Sequence, residues 1–293
     1  MGLGIFSKLV KFFPFLYRVQ LYLDKNNFFL FLVRMNFIIR VQKPITKLLG
    51  PMFERDCDLI EIDITYDCNL NCKNCNRSCR QASTKEQMSL DQIERFVKES
   101  IQDRVTWKRI RVLGGEPTLH SDFVKILNLL LDYRKNFSPN TVIELATNGF
   151  GKHIEEALKL IPEGIKVDNT RKTTANQIFY PFNLAPRDSK YFKNADYSNG
   201  CNTIKTAGMG LGPYGYYPCA VGGGIDRIFG YNIGRKKLPS RDDDMRDQLE
   251  KLCRNCGHFR SGKAVYVDKE LKSETWLKSY ADYKKEKPKL DTY

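Results

Sequence analysis

A chain of 293 residues, 42% apolar and 28% charged, is long enough for a core domain with attachments and too apolar for a disordered one. Its formal charge of +14 fits an anionic partner or a lysine-rich solvated surface; with no ribonucleoprotein motif or other nucleic-acid module, no nucleic-acid partner is expected. Nine cysteines, an odd number, and no cleavable signal peptide speak against a disulfide framework and for a cytoplasmic location.

Residues 1–56 stand apart, with eleven aromatics, nine Lys or Arg and three acids. The longest uncharged apolar run, Asn26 to Val33, has eight residues, well short of the roughly twenty that span a bilayer. Lys8, Lys11, Arg18, Lys25, Arg34 and Arg40 interrupt the apolar stretches at near-helical intervals. The segment reads as a basic, aromatic helical extension. Either its helices lie in a membrane interface or on a partner, with peripheral membrane contact through residues 1–50, or they pack as a hairpin on the barrel that follows. Pro44 and Gly50-Pro51 mark the join.

The core begins with a strand over 59–65, where Leu59, Ile60, Ile62 and Ile64 are set against Glu61, Asp63 and Thr65. It runs into Cys68, Cys72 and Cys75, a C-x3-C-x2-C spacing. Three thiolates can hold a four-iron cluster by three of its irons and leave the fourth open to a small molecule. Structural zinc is the alternative, although zinc usually takes paired C-x2-C clips that add up to four ligands. Ser89 and Gln92 then form a capping box that opens a helix carrying Leu90, Ile93, Val97 and Ile101. A second strand, Ile110-Arg111-Val112-Leu113, ends in Gly114-Gly115-Glu116-Pro117.

Strand, cysteine loop, helix, strand and GGEP, in that order, resemble the radical S-adenosylmethionine (radical SAM) superfamily, and the resemblance covers roughly residues 57–260. It implies a [4Fe-4S] cluster on Cys68, Cys72 and Cys75, with S-adenosyl-L-methionine on the open iron. Gly114, Gly115 and Glu116 would hold the methionine end. Asn74 stands where an aromatic commonly precedes the third cysteine, a departure that bears on how the adenine is packed. An electron donor such as flavodoxin or ferredoxin is implied as a partner.

Ser121 is read as the cap of a helix with apolar face Phe123, Val124, Leu127, Leu130 and Leu131. A third strand, Val142 to Ala146, ends in Thr147-Asn148-Gly149; a helix over about 154–160 stops at Pro162; Ile165 to Asp168 form a fourth strand. The alternation predicts an α/β fold, a partial TIM-like barrel of parallel strands with right-handed crossovers and functional residues at the strands' C-terminal ends. Asn148 and Asn169 are then expected to face cofactor or substrate, with a plain Asn-Gly turn as the alternative for Asn148. From Ile165 to Cys201 there are only 36 residues, so a barrel truncated to about four or five strands is expected. No strand is placed over 170–200.

Cys201 and Cys219 have seventeen residues between them, and the C-x2-C pair Cys253 and Cys256 follows after thirty-three more, with a tight hairpin read over Gly210 to Cys219. Four thiolates in two clips suit zinc or a fully ligated cluster. Beside the first motif they resemble the twitch domain, the short form of the SPASM auxiliary domain, with spacing similar to that of the 2-deoxy-scyllo-inosamine dehydrogenases. That implies one auxiliary [4Fe-4S] cluster on Cys201, Cys219, Cys253 and Cys256. The expected organisation is the extension at 1–56, the partial barrel at 57–198, the auxiliary domain at 199–262 and a polar C-terminal tail at 263–293.

The resemblance implies an enzyme that cleaves S-adenosylmethionine reductively and abstracts a hydrogen from a small-molecule or glycan-type substrate. Oxidation of a hydroxyl on a sugar or aminocyclitol leads. Peptide or protein modification, epimerisation with Cys79 as hydrogen donor, and a non-catalytic zinc or iron–sulfur module are the rivals. Cys79 is otherwise a small buried residue, Cys57 packs, and His120 caps the next helix or acts as a base; His153 and His258 give no signal.

Overall fold

The computed structural model describes residues 28–177, 181–260 and 269–293. Helices expected before residue 28 lie outside the described residues. From there the chain runs α1 (Phe28–Arg40), α2 (Lys43–Leu49), β1 (Leu59–Thr65), α3 (Leu90–Gln102), β2 (Arg109–Gly114), α4 (Phe123–Asn136), β3 (Val142–Thr147), α5 (Lys152–Leu158) and β4 (Lys166–Asn169). After a long stretch of short turns come α6 (Thr203–Thr206), β5 (Met209–Gly212), β6 (Gly215–Tyr217), α7 (Gly222–Phe229), α8 (Arg246–Cys253) and α9 (Glu274–Lys285).

One sheet orders these strands β4-β3-β2-β1-β5-β6. Pairing is parallel from β4 through β5, and β6 is antiparallel. The sheet therefore has six strands, five of them parallel, where about four or five were expected. β5 lies on the side of β1 away from β2, so the hairpin read at 210–219 extends the barrel sheet itself, and the expected boundary at 198/199 falls inside one sheet. β5 escaped placement because its sequence is Met-Gly-Leu-Gly, with no side-chain alternation to read. Gly210 has a structural reason: a Cβ there would come within 2.5 Å of the Cys219 carbonyl oxygen.

One face of the sheet is apolar. Ile60, Ile62 and Ile64 of β1, Ile110 and Val112 of β2, and Ile143 and Leu145 of β3 pack against Ile93 and Phe96 of α3 and Ile126, Leu127 and Leu130 of α4. Burial of each such side chain contributes about 1.5–3 kcal/mol. The Ser89–Gln92 capping box starts α3 as expected. Ser121 does not cap α4. The N-cap position is Asp122, and His120 fixes the turn by accepting the Asp122 N–H on Nδ1.

A second core lies beyond β6. Trp276, Tyr280 and Tyr283 of α9 are buried there with Phe182, Tyr197 and Phe259. Residues 263–293, read as a polar tail, thus carry a packed helix; its aromatics recur at i, i+4 and i+7, a helical face that the surrounding lysines obscured. Phe37 of α1 joins this core, with its ring 5.6 Å from that of Phe259. The α1–α2 unit is tied down by Asp196 N–H to the Val41 carbonyl at 2.8 Å and by Asn199, which donates to Thr46 and accepts from Met52 N–H. α1 and α2 thus pack against the second core and not on the barrel, where the hairpin alternative put them. Among the described residues no helix is long and apolar enough to cross a membrane.

Candidate active site

β1 delivers the first cysteine group to the C-terminal edge of the sheet. Polar clamps hold the loop. Asn71 N–H and Lys73 N–H donate to the carbonyls of Ala175 and Gln177 at 2.7 and 2.8 Å. Asn69 donates to the Phe150 carbonyl at 2.7 Å and accepts from Asn148 Nδ2 at 2.8 Å. Asn74 takes a left-handed backbone with φ of 59°, which asparagine tolerates better than an aromatic. Its buried amide donates to the Lys269 carbonyl and accepts from Leu271 N–H. The departure at Asn74 therefore has a local function: it ties the segment leading into α9 to the cysteine loop.

Cys68 and Cys75 are half-buried and Cys72 is buried. Burial pushes the Cys68 thiol up to about 12 and the Cys72 thiol up to about 11, with Cys75 adding to both. Cys75 is drawn down to about 6, first by the hydrogen bond from the Cys79 thiol. Cys79 is thus a buried neighbour of a ligand candidate.

The two glycines after β2 allow a close crossing. Gly114 has φ of 143°, and a Cβ there would stand 2.2 Å from the Thr65 carbonyl oxygen; at Gly115 it would stand 2.0 Å from that of Asp67. Gly115 N–H and Glu116 N–H donate to those same two carbonyls at 2.7 and 2.8 Å. The end of β2 is thereby bonded to the start of the cysteine loop, which is why no side chain fits. The Glu116 carboxylate turns inward. Its Oε1 accepts from Thr118 N–H, Thr118 Oγ1 and Thr147 Oγ1, and its Oε2 from Asn148 N–H. Asn148 forms a local turn as well, accepting from Phe150 N–H on Oδ1. Glu116 and Asn148 together link the ends of β2 and β3 to the loop at Asn69.

The second group is sealed. Cys201 precedes α6, Cys219 follows β6, Cys253 ends α8 and Cys256 lies in the next turn; all four are buried. Burial pushes every one of these thiols up, Cys219 to about 12, and each lies within electrostatic reach of others in the group. Four mutually opposed thiols in an apolar core suit a metal core that takes them as thiolates. Among the described residues no three His, Cys, Asp or Glu side chains converge on a single-ion site.

Sequence reading missed what lies on the other face of the sheet. Glu61, Arg111, Glu144 and Lys166 stand in register across β1 to β4. Arg111 Nε is 3.3 Å from Glu144 and its Nη2 pairs with Asp168. Arg77, buried, pairs with Glu61 at 3.1 Å and Asp63 at 3.2 Å. Its charge also reaches Cys75, Cys219 and His258. Burial raises the Asp63 carboxyl to about 6, against the pull of Arg77. The signal was present: a barrel strand has no solvent face, so acids alternating with isoleucines in β1 imply a buried polar interior.

The remaining residues take structural places. His120 accepts at Nδ1 from Asp122 N–H and donates from Nε2 to the Met88 carbonyl at 2.7 Å, and burial lowers its pKa; it fixes the turn before α4. Asn169 accepts from Arg171 N–H. Cys57 is half-buried and His153 exposed. His258 is held neutral, with its pKa pushed down to about 4 by burial.

Residues 62–169 match the profile of the Radical SAM superfamily. The chain is similar to the GTP 3',8-cyclase of Aliarcobacter butzleri, 28% identical over 134 residues, which are 43% of this chain and 39% of that one. It is also similar to the probable GTP 3',8-cyclase of Pyrococcus abyssi, 35% identical over 97 residues, 33% of this chain and 29% of that one. The chain thus spans well under half the length of these relatives. Among solved structures, BtrN in complex with AdoMet and 2-DOIA aligns at a TM-score of 0.44 and 14% identity, covering 73% of this chain and all of BtrN. Native anSMEcpe with bound AdoMet and Cp18Cys peptide aligns at 0.35 and 15%, covering 78% of this chain and 95% of that one.

Proposed function

We propose that this chain, which carries a radical SAM domain over residues 62–169, oxidises a hydroxyl of a sugar or aminocyclitol. The family implies a [4Fe-4S] cluster and S-adenosylmethionine, which together supply an electron, a 5′-deoxyadenosyl radical and the abstraction of a hydrogen atom from substrate. Cys68, Cys72 and Cys75 would hold that cluster, with the backbone of Gly114 and Gly115 beside it. Glu116 acts through its carboxylate on Thr147 and Asn148, as a positioning residue. Asn148 and Asn74 fix the loop from either side.

The observation that carries the finer reading is the second cysteine group. Hydroxyl oxidation removes two electrons from substrate, and hydrogen-atom abstraction accounts for one. Cys201, Cys219, Cys253 and Cys256, all buried, would hold a fully ligated auxiliary cluster whose chemistry is one-electron transfer. Arg77, Asp63 and Glu61 form a charged cluster at β1, and a polar, hydroxyl-bearing substrate suits such a surface.

The test uses anaerobically reconstituted protein, dithionite, S-adenosylmethionine and aminocyclitols deuterated at the carbinol carbon. Deuterium in 5′-deoxyadenosine together with a ketone product supports the reading. Solvent hydrogen returning to the same carbon, with no ketone, would instead establish epimerisation.

A further inference from the structure

Beside the cysteine loop lies a cleft of about 470 Å³. Its described lining includes Arg80, Lys272, Lys284, Lys285 and Lys287, with Glu270 as the lone acid. Lys272 pairs with Glu270 at 2.9 Å. Arg80, Lys284, Lys285 and Lys287 are exposed and make no ion pair among the described residues. Four uncompensated cations around one concave surface form a field that attracts an anionic partner and is screened by salt.

The cleft also touches the cluster loop. Gln81 on its wall donates to the Cys72 carbonyl at 3.4 Å and to Glu270 at 2.6 Å. Tyr280 on its floor meets Ser78 Oγ at 2.7 Å, three residues beyond Cys75. A partner seated here would stand beside the first cysteine group.

We infer that this cleft is the docking surface for an acidic electron-carrier protein that reduces the chain. The inference rests on the radical SAM reading, in which the oxidised resting chain must take one electron from outside before the first cleavage. The reduced carrier gives up one electron and is itself oxidised by one. Basic side chains that flank the entry point recognise the carrier's acidic rim, and their contribution falls largely on the association rate. A small phosphorylated ligand would use the same cations, but it would gain nothing from their placement against Cys72.

The test compares wild type with an Arg80→Gln/Lys284→Gln/Lys285→Gln/Lys287→Gln variant, both reconstituted. Two measurements are made with reduced flavodoxin as the probe: its dissociation constant at low and high salt, and the rate of 5′-deoxyadenosine formation it supports. Dithionite serves as the reductant that needs no docking. The expected result is flavodoxin binding weakened at least about tenfold in the variant and salt-dependent in wild type. Flavodoxin-driven turnover falls in step, while dithionite-driven turnover is unchanged. Equal flavodoxin binding by the two proteins overturns the inference, as does equal loss of turnover with both reductants. So does tight binding of inorganic pyrophosphate with flavodoxin kinetics unaltered. Wild-type protein that yields no cleaved nucleoside even with dithionite refutes the radical reading, and the docking inference with it.

Discussion

Around Cys68, Cys72 and Cys75 the neighbours are polar: Asn69, Asn71, Asn74 and Asn148 bond the loop by side chain or main chain, and two of the three thiols are half-exposed. Around Cys219, Cys253 and Cys256 they are aromatic: Phe182, Phe259 and Trp276 belong to the same core, and no thiol of that group is exposed. On the proposed function, the contrast separates two uses of one ligand chemistry. A three-thiol loop at a sheet edge leaves room for a small molecule on an open iron. A four-thiol group inside a core excludes ligands and suits electron transfer.

The sharpest way to break the contrast is to remove one ligand from each group. Cys75→Ala should reduce S-adenosylmethionine cleavage to background. Cys256→Ala should lower bound iron from about eight to about four per chain and leave cleavage standing while product formation stops. Equal loss of cleavage in the two variants would merge the groups into one function.

Packing of the sealed region comes next in size. Trp276 is buried against Phe182, Phe229 and Tyr280 and donates to the Asn255 carbonyl at 2.7 Å, one residue from Cys256. Trp276→Ala should cost about 3–5 kcal/mol in anaerobic denaturant titration. A cost near zero would mean that α9 does not brace the second group.

On the open side, Glu116→Gln replaces one acceptor oxygen with a donor facing Thr147 or Asn148. The expected cost is about 1–3 kcal/mol, with S-adenosylmethionine binding weakened through the displaced loop. Normal stability together with lost binding would show that the carboxylate contacts the cofactor directly.

The smallest effect concerns the buried acid of β1 that pairs with Arg77. Asp63 stands at about 6 when folded, against 3.8 for an ordinary aspartate. Between those values the folded chain holds a proton that the unfolded chain has released. Stability from this group is therefore full below about 4 and is lost as pH rises to about 6. The difference in unfolding free energy between wild type and Asp63→Asn should decline over that window, measured by urea titration; a flat difference would place Asp63 in a solvated site.

Much of this was legible in advance because local chemistry dictates it. The cysteine spacing, the Gly114-Gly115 crossing and the Ser89–Gln92 box each depend on a few adjacent residues. What was hidden depends on distant ones. β5 is a strand because it fits beside β1 and under Cys219, not because Met-Gly-Leu-Gly favours extension. α9 is buried because the second core needs its aromatics. Arg77 matters because folding brings Glu61 and Asp63 to it from β1. The helix expected to start at Ser121 starts one residue later, with Asp122 at the N-cap and its N–H held by His120.

The central claim is that the first group has an open metal corner and the second does not. The direct measurement is 5′-deoxyadenosine formed from S-adenosylmethionine by anaerobically reconstituted, dithionite-reduced protein. The nucleoside should appear with wild type and with Cys256→Ala, and be absent with Cys75→Ala. Protein that binds zinc in place of iron, shows no iron–sulfur absorbance and forms no nucleoside would contradict the account.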